Sequence, residues 1–416
     1  MNRRSFLELA GYASCGIFCN RINSLPLLKE GGNVRRITSA PGNHFFGYYG
    51  INPWNAAKTH LLCIEAPFNH RLPVAGEKAS VGIVDMKTGT FKKITETNAW
   101  NLQQGCMLHW NPLKPDDQFY FNDNVNGQLV SVLYDLSVGK RIGTTNTISG
   151  MSDNGKYALH MNYGRISRLR KVVSYGGTTD KNSNEAHPAD DGIFVTDLSN
   201  GSKKLIISFK QVADDIRKYE PGIEGRHMWM EHAEFNPEAN RFLFLPRTWN
   251  ADGSKLETGL YTIGINGEDM RRVIPYGKSV SHFGWRNNKE IAATFVLEGN
   301  ERSHVLFSDT AENNSFRRLS PLEWDGHCSF NHDGSWMLTD GNKDFDKFTN
   351  SVWLYNMSTG KETRLAVMPM TAKRFLQGDA RCDLHPRWRN DSKMICIDAI
   401  DTNTQTRQLF TIETGI

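Results

Sequence analysis

Residues 327–365 read HCSFNHDGSWMLTDGNKDFDKFTNSVWLYNMSTGKETRL, and this stretch holds one copy of a pattern that recurs along the chain. An aromatic landmark, Phe330, is followed by the turn Asp333-Gly334 and by the apolar run WML at 336–338. A second apolar run, VWLYN at 352–356, leads through Gly360 into a basic-apolar run. Short apolar runs separated by tight turns predict the strands of an antiparallel sheet.

The same unit occurs seven times, each time with an aromatic or methionine landmark ahead of a polar turn. The landmarks are spaced about 40 to 60 residues apart, except for one longer interval in the third unit. Four short strands per unit at this period predict the blade of a β-propeller. The sequence therefore predicts an all-β, seven-bladed β-propeller. The landmarks are Trp54, Trp110, Met151, Phe235, Trp285, Phe330 and Trp388.

The two ends of the chain carry complementary parts of one blade. The last hairpin, which ends near Ile416, lacks an outer strand. The segment VRRIT at 34–38 resembles an outer strand with no hairpin before it. We therefore expect the N-terminal strand to complete the seventh blade and close the ring, which would leave no exposed sheet edge at the joint. Residues 31–416 would then form one propeller domain.

The first residues indicate export. Arg3-Arg4 opens a twin-arginine-like segment, and a modestly apolar stretch follows it. We predict an export signal over residues 1–30 and a periplasmic or otherwise exported protein. Cys15 or Cys19 could serve as a lipid attachment point.

Composition narrows the classes of partner. The formal net charge is only +4 and the basic residues are scattered, which disfavours nucleic acid but permits an acidic small ligand. No stretch approaches the roughly 20 apolar residues of a membrane span. The seven cysteines show no CxxC pair and no regular spacing, so we do not expect a disulfide scaffold. We expect a monomer.

Four successive units carry a histidine three residues before their landmark. Equivalent positions of a propeller are related by rotation, so these side chains should converge at one mouth of the central channel. Converging imidazoles would hold a divalent cation such as Zn²⁺, Mn²⁺ or Ca²⁺, and Cys328 or Cys382 could replace one of them. The alternative is a ring of histidines that bind water and neighbouring strands. The four are His232, His282, His327 and His385.

The early units lack this histidine and have Ile51 and Met107 in its place. They carry instead His44, His109 and Arg165 at predicted junctions between loops and strands, where proton transfer beside a carboxylate could take place. Some nearby aromatic residues could equally be blade core. The chain has no GxSxG, phosphate-loop or dinucleotide motif. The predicted substrate-binding residues are Tyr48, Tyr49, Gln104, Trp110, Asn124 and Tyr163.

The longer third interval holds extra sequence. Residues 171–190 and 209–230 are polar, glycine-rich or mixed, and they fall where loops between blade strands are expected. Because binding residues are often carried on loops above a rigid scaffold, we expect these insertions to form one rim of a site.

Five further segments stand out: GNHFFGYYG at 42–50, QQGCM at 103–107, SHFGWR at 281–286, DGHCS at 325–329 and RCDLHPRW at 381–388. Together they resemble one group of carbohydrate-active enzymes. The group contains the seven-bladed propeller oligogalacturonate lyases, the propeller ulvan lyases and the enzymes that release L-rhamnose from rhamnosyl-α-1,4-glucuronate caps of arabinogalactan. The resemblance covers nearly all of the chain after the leader.

The resemblance implies cleavage of an α-1,4 bond to a uronic acid in an acidic glycan, by β-elimination or hydrolysis, with release of terminal L-rhamnose favoured. It implies a base or acid role for His44, a partner role for His109 and carboxylate neutralisation by Arg165. Relatives carry a second histidine near Ile64, which is apolar here. Two alternatives therefore stay open: an oligogalacturonate lyase, and a propeller that binds glycan or protein without catalysis.

Overall fold

A computed structural model describes residues 28–29, 33–299, 301–310 and 315–416. These residues form seven antiparallel sheets of four or five strands, arranged as the blades of a ring. The prediction of a seven-bladed β-propeller is confirmed. In each blade the first strand lies innermost and the chain then runs outward.

The strands are numbered in chain order. Two precede the first blade: β1 (Leu28–Lys29) and β2 (Val34–Arg36). Blade 1 contains β3 (Asn43–Phe45), β4 (His60–Ala66), β5 (Ala79–Asp85) and β6 (Phe91–Thr97). Blade 2 contains β7 (His109–Trp110), β8 (Gln118–Val125), β9 (Gln128–Asp135) and β10 (Lys140–Thr145). Blade 3 contains β11 (Gly150–Met151), β12 (Tyr157–Met161), β13 (Gly192–Asp197) and β14 (Lys203–Ser208).

Blade 4 contains β15 (Trp229–Phe235), β16 (Arg241–Trp249), β17 (Leu256–Thr258), β18 (Leu260–Gly264) and β19 (Arg271–Ile274). Blade 5 contains β20 (Phe283–Trp285), β21 (Glu290–Phe295), β22 (Ser303–Ser308) and β23 (Arg317–Arg318). Blade 6 contains β24 (Ser329–Phe330), β25 (Trp336–Asp344), β26 (Thr349–Asn356) and β27 (Glu362–Pro369), with β1 paired to the outer edge of β27. Blade 7 contains β28 (Arg387–Trp388), β29 (Met394–Ile400) and β30 (Arg407–Glu413).

The N-terminal strand closes the ring as expected. Strand β2 pairs antiparallel with β30, in a register that places Val34 opposite Ile412. Blade 7 therefore contains both ends of the propeller, and its outer edge is supplied by the start of the domain. The predicted export signal, including Cys15 and Cys19, lies almost entirely outside the described residues and stays a prediction.

The aromatic landmarks have a structural explanation. The indole of Trp110 donates a hydrogen bond of 2.8 Å to the carbonyl of Pro53 in the preceding blade. Trp285 donates in the same way to the carbonyl of Glu234, at 3.2 Å. Each ring thus fills the space between two blades while its only polar atom is satisfied by the neighbouring backbone. For Trp110 the structure favours blade packing over substrate binding.

The long third interval contains two helices, and the second lies within residues 209–230, where sequence analysis predicted a loop. Helix α1 (Tyr163–Leu169) follows β12, and helix α2 (Phe209–Arg217) follows β14. Ser208 and Gln211 form a capping box at the start of α2, whose apolar side is buried. Short 3₁₀ turns occupy Lys171–Val173, Pro221–Ile223 and Lys373–Phe375. No helix in the described part of the chain is long and apolar enough to span a membrane.

Candidate functional site

A cavity of about 300 Å³ lies at one mouth of the channel, where the inner strands of blades 4 to 7 begin. Residues from blades 1 and 2 and from the segment after α1 complete its wall. All four histidines that the repeat alignment singled out line this cavity. The predicted residues found in its wall are Tyr48, Tyr49, Gln104, His232, His282, His327 and His385.

His327 is held in one orientation by Asp340, which lies on β25 of the same blade. Its Nδ1 lies 2.9 and 3.1 Å from the two carboxylate oxygens, and its backbone N–H donates to the same group at 2.8 Å. The backbone N–H of His385 also donates to Asp340, at 3.2 Å. Although burial disfavours a charged carboxylate, the contact with His327 lowers the pKa of Asp340. This arrangement leaves Nε2 of His327 as its ligand atom.

His327, Asp383 and His385 form a candidate cation site. Their ligand atoms all lie within 4.8 Å of one another, and all three residues are buried. The carboxylate of Asp383 also accepts hydrogen bonds from Lys343 at 2.9 Å and from Arg381 at 2.6 Å. Burial opposes ionisation of Asp383, but these two cations hold its pKa well below the usual range.

The donor set fits a divalent cation of intermediate hardness. Two imidazole nitrogens and one carboxylate oxygen suit Mn²⁺ or Zn²⁺ better than Ca²⁺, which prefers oxygen ligands. The hydrogen bond from His327 to Asp340 is the kind of support that fixes a metal-ligating imidazole. Two of the four histidines predicted to bind metal belong to this group, whereas His232 and His282 do not.

His282 is paired with a carboxylate from the next blade. Its Nδ1 lies 2.9 Å from Oδ1 of Asp325, which also accepts from the hydroxyl of Thr294 at 2.7 Å. The ring centroids of His282 and His327 are only 3.8 Å apart. Burial and the nearby His327 lower the pKa of His282, although Asp325 acts in the opposite direction. His282 is therefore a neutral, oriented imidazole beside the candidate cation site.

Tyr48 and Tyr49 form the floor of the cavity. Their rings stack with centroids 4.9 Å apart, and the hydroxyl of Tyr49 donates to the carbonyl of Phe283 at 3.0 Å. The hydroxyl of Tyr48 lies 3.0 Å from Nδ1 of His232. Burial raises the pKa of both tyrosines well above the usual value, so both hydroxyls keep their protons.

The backbone at His232 and His385 is left-handed, with φ of 55° and 44°. Such values are uncommon for histidine and often mark functional positions. Met107, at the equivalent place in blade 2, has φ of 53°. The bend therefore also occurs at this position without a histidine and is not by itself a sign of a ligand.

The structure places the three predicted catalytic residues away from this cavity. His44 lies between blades 1 and 7, where its Nδ1 is 3.2 Å from Oε1 of Gln408 and its Nε2 is 3.1 Å from Glu65. His109 is buried in β7, and burial lowers its pKa to about 4. None of the contacts among the described residues joins His44, His109 and Arg165 to one another.

Arg165 is a structural residue of the third-blade insertion. Its side chain is fully buried and donates hydrogen bonds to backbone carbonyls, including those of Met228, Glu185 and Ala186. Its guanidinium also lies 3.4 Å from the buried carboxylate of Asp180. A guanidinium whose donors are used in this way cannot neutralise a substrate carboxylate.

Two further predicted substrate-binding residues also lie elsewhere. Tyr163 is buried, with its ring stacked on Tyr175 at 4.6 Å between centroids. Asn124 lies near the end of β8, beside a polar surface depression between blades 1 and 2. Sequence analysis missed the charged residues that alternate with the histidines in the cavity wall. They are Arg170, Glu231, Arg247, Arg302, Asp325, Arg381 and Asp383.

No protein-family model matches the chain, and no curated protein is significantly similar to it. Among solved structures, an oligogalacturonate lyase in complex with manganese gives a TM-score of 0.64 at 16% identity, over 93% of this chain and 94% of that one. The oligogalacturonate lyase of Vibrio parahaemolyticus gives 0.60 at 12% identity, over 93% and 97%.

The similarity is one of fold. At these identities it shows that this chain has the seven-bladed propeller of the oligogalacturonate lyases over nearly the full length of both proteins. The resemblance noted in the sequence therefore extends to the architecture.

The Asp340 contact predicts a measurable effect on cation binding. We expect Asp340→Asn to weaken Mn²⁺ binding by about 10- to 100-fold, because the amide cannot hold the His327 ring as a carboxylate does. Calorimetric titration of the purified protein with MnCl₂ measures this directly. Asp333→Asn, at an exposed turn of the same blade, is the control and should bind Mn²⁺ like the parent. Equal affinity in all three proteins would contradict the assignment.

Proposed function

We propose that this protein is a lyase that cleaves an acidic glycan beside a uronic acid by β-elimination. The observation that carries the proposal is one cavity that holds both an oriented, neutral histidine and a His327–Asp383–His385 cation site. The fold shared with oligogalacturonate lyases supports it.

The reaction removes the C5 proton of a uronate and expels the oxygen at C4. A divalent cation held by His327, Asp383 and His385 would neutralise the uronate carboxylate and make the C5 proton more acidic. The arginines of the same wall add positive charge where the anionic substrate binds. The chain itself must still supply a base and a proton donor.

His282 is the best placed base. Asp325 fixes the tautomer and orientation of its ring by binding Nδ1, so Nε2 is left to accept a proton. The resulting imidazolium would be stabilised by the same carboxylate. His282 thus takes the role that the family resemblance implied for His44.

The leaving oxygen needs a proton, and Tyr48 can provide it. Its hydroxyl lines the same cavity and stays protonated because burial raises its pKa. The tyrosinate that forms regains a proton from solvent, and the imidazolium of His282 releases the C5 proton to solvent, so the cycle balances. His232, at 3.0 Å, orients the Tyr48 hydroxyl by a hydrogen bond.

The identity of the acidic glycan is predicted only by the resemblance noted in the sequence. That resemblance favours rhamnosyl-glucuronate caps of arabinogalactan, with oligogalacturonate as the alternative. Both contain a uronate whose carboxylate would meet the cation site. The choice between them depends on the second sugar.

A panel digest tests the proposal. The full-length protein with MnCl₂ is incubated with oligogalacturonates, ulvan oligosaccharides and rhamnose-capped glucuronate oligosaccharides, and with the same panel after chelation by EDTA. We expect ultraviolet absorbance from an unsaturated uronate with one substrate class, and its loss after chelation. Free rhamnose without new absorbance would show hydrolysis and contradict β-elimination. Binding without either product would favour a non-catalytic propeller.

A further inference from the structure

Glu234 carries a carboxyl group that the proposed reaction does not use. It lies on β15, the innermost strand of blade 4, two residues after His232. Its Oε1 accepts a hydrogen bond of 3.4 Å from the backbone N–H of Trp285, whereas its Oε2 has no hydrogen-bond partner in the described part of the chain. Burial raises the pKa of Glu234 to about 8. At neutral pH the group therefore keeps its proton and offers an O–H donor that no described residue binds.

The side chain of Glu234 faces the axis of the channel. The titratable groups that interact with it electrostatically come from three other blades. Because such interactions weaken with distance, a single carboxyl group reaches all three blades only from a position close to the axis. The groups are Tyr48 and Tyr49 of blade 1, Asp153 of blade 3 and Cys328 of blade 6.

Two of these groups mark opposite ends of the channel. Tyr48 belongs to the floor of the cavity, whereas Asp153 lies in the turn between β11 and β12. Inner strands begin on the side of the cavity, so the turn that follows an inner strand lies at the opposite mouth. Asp153 is exposed there and interacts electrostatically with His332, which occupies the equivalent turn of blade 6. Glu234 thus lies between the cavity floor and the opposite mouth.

The proposed reaction leaves Tyr48 without its proton. Burial raises the pKa of Tyr48 well above the usual value, and the charge of an ionised Glu234 would raise it further, so a tyrosinate at this position is unfavourable. While a substrate or product occupies the cavity, it covers Tyr48 from that side. A proton that arrives from the other side of the floor restores the tyrosine before the product leaves.

We propose that Glu234 is a proton-relay residue that returns a proton to Tyr48 from the opposite mouth of the channel. This role rests on the function proposed above. In each cycle the O–H bond of Glu234 breaks, and its proton moves through channel water to the phenolate oxygen of Tyr48. The carboxylate of Glu234 then takes a proton from water at the opposite mouth. The C5 proton leaves through His282, so one proton enters and one proton leaves in each cycle.

Replacement of Glu234 by glutamine tests the relay. Glutamine keeps an acceptor for the N–H of Trp285 but has no ionisable proton. Stopped-flow absorbance follows the full-length protein with MnCl₂ and the glycan that the panel identifies. We expect Glu234→Gln to form the first equivalent of unsaturated product at the parent rate, because Tyr48 begins protonated. Later turnovers should be slower by about 10²-fold, the lower end of what a positioned acid contributes.

Two further variants complete the test. Glu234→Asp should recover part of the steady-state rate, because it keeps an ionisable carboxyl group. Glu238→Gln is the matched control and should behave like the parent, since Glu238 is an exposed residue of the turn after β15.

Two results would overturn the relay while the lyase function stands. One is a parent steady-state rate in Glu234→Gln, and the other is an equal loss in its first and later turnovers. A parent protein that forms no unsaturated product from any glycan of the panel would instead refute the lyase function, and the relay with it, since Tyr48 would then lose no proton.

Discussion

Replacement of His282 by alanine is expected to lower kcat for uronide cleavage by about 10²–10⁴-fold, the usual contribution of a positioned base. The histidine has a carboxylate on Nδ1 and a neighbouring imidazole from the cation site. His327 is also held by a carboxylate, that of Asp340, but it belongs to the candidate cation site. Product absorbance with the substrate class found in the panel measures the loss. Calorimetry with MnCl₂ should show that the variant still binds the cation.

His44→Ala provides the contrast, because the family resemblance implied catalysis by His44. The structure places this residue between blades 1 and 7, in contact with Gln408 and Glu65. We expect the variant to unfold at a lower denaturant concentration than the parent protein. Its kcat should stay within a few-fold of the parent value. A folded His44→Ala protein without activity, together with an active His282→Ala protein, would reverse the assignment.

Asp398→Asn is expected to destabilise the propeller by about 3–5 kcal/mol, because it leaves a buried arginine without its counter-charge. Asp398 and Arg387 are both fully buried, and their closest approach is 2.7 Å. The same carboxylate accepts from the backbone N–H groups of Phe46 at 3.1 Å and Gly47 at 3.0 Å. It therefore joins blade 7 to blade 1 at the point where the ring closes.

Urea unfolding followed by tryptophan fluorescence measures this free-energy change. Asp214→Asn serves as the control, since Asp214 pairs with Lys210 and Arg217 on the exposed surface of α2. Exposed pairs contribute about 0–1 kcal/mol, so this variant should unfold close to the parent. An Asp398→Asn protein as stable as the control would show that the pair does not hold the ring closed.

The fold could be predicted because each blade repeats the same local pattern of short apolar runs, tight turns and an aromatic or methionine landmark. Landmarks such as Trp110 and Trp285 recur because every blade must fill the same space against its neighbour. The closing strand at Val34 could be found because the last unit lacked it. The helices of the third interval were missed, since α2 combines a short amphipathic pattern with a polar surrounding sequence that also fits a loop.

The site could be predicted only in part. The four histidines could be predicted because they occupy equivalent positions in successive repeats. The carboxylates that contact them lie at other positions in the blades. A local signal did exist: Asp325 and Asp383 each stand two residues before a histidine. Each aspartate acts together with the histidine of the preceding blade. Asp325 contacts His282 directly, and Asp383 shares the candidate cation site with His327.

Other members of the site carry no such signal. Asp340 reaches His327 from the second strand of the blade, a contact that no spacing in the sequence indicates. Arg170 lies in an insertion that has no counterpart in the other blades, so alignment of the repeats could not select it. The family resemblance pointed to His44, whose neighbours only the folded ring reveals.

The pairing of Val34 with Ile412 also has a consequence for the order of events during synthesis. Strand β2 precedes every blade in the chain, whereas its partner β30 follows all the other strands. Until β30 has been made, β2 has no partner in blade 7 and presents an open edge, where pairing with another chain can compete. Contacts between residues so distant in the chain form slowly. Closure of the ring therefore depends on β30, which follows the other strands of the propeller in the chain.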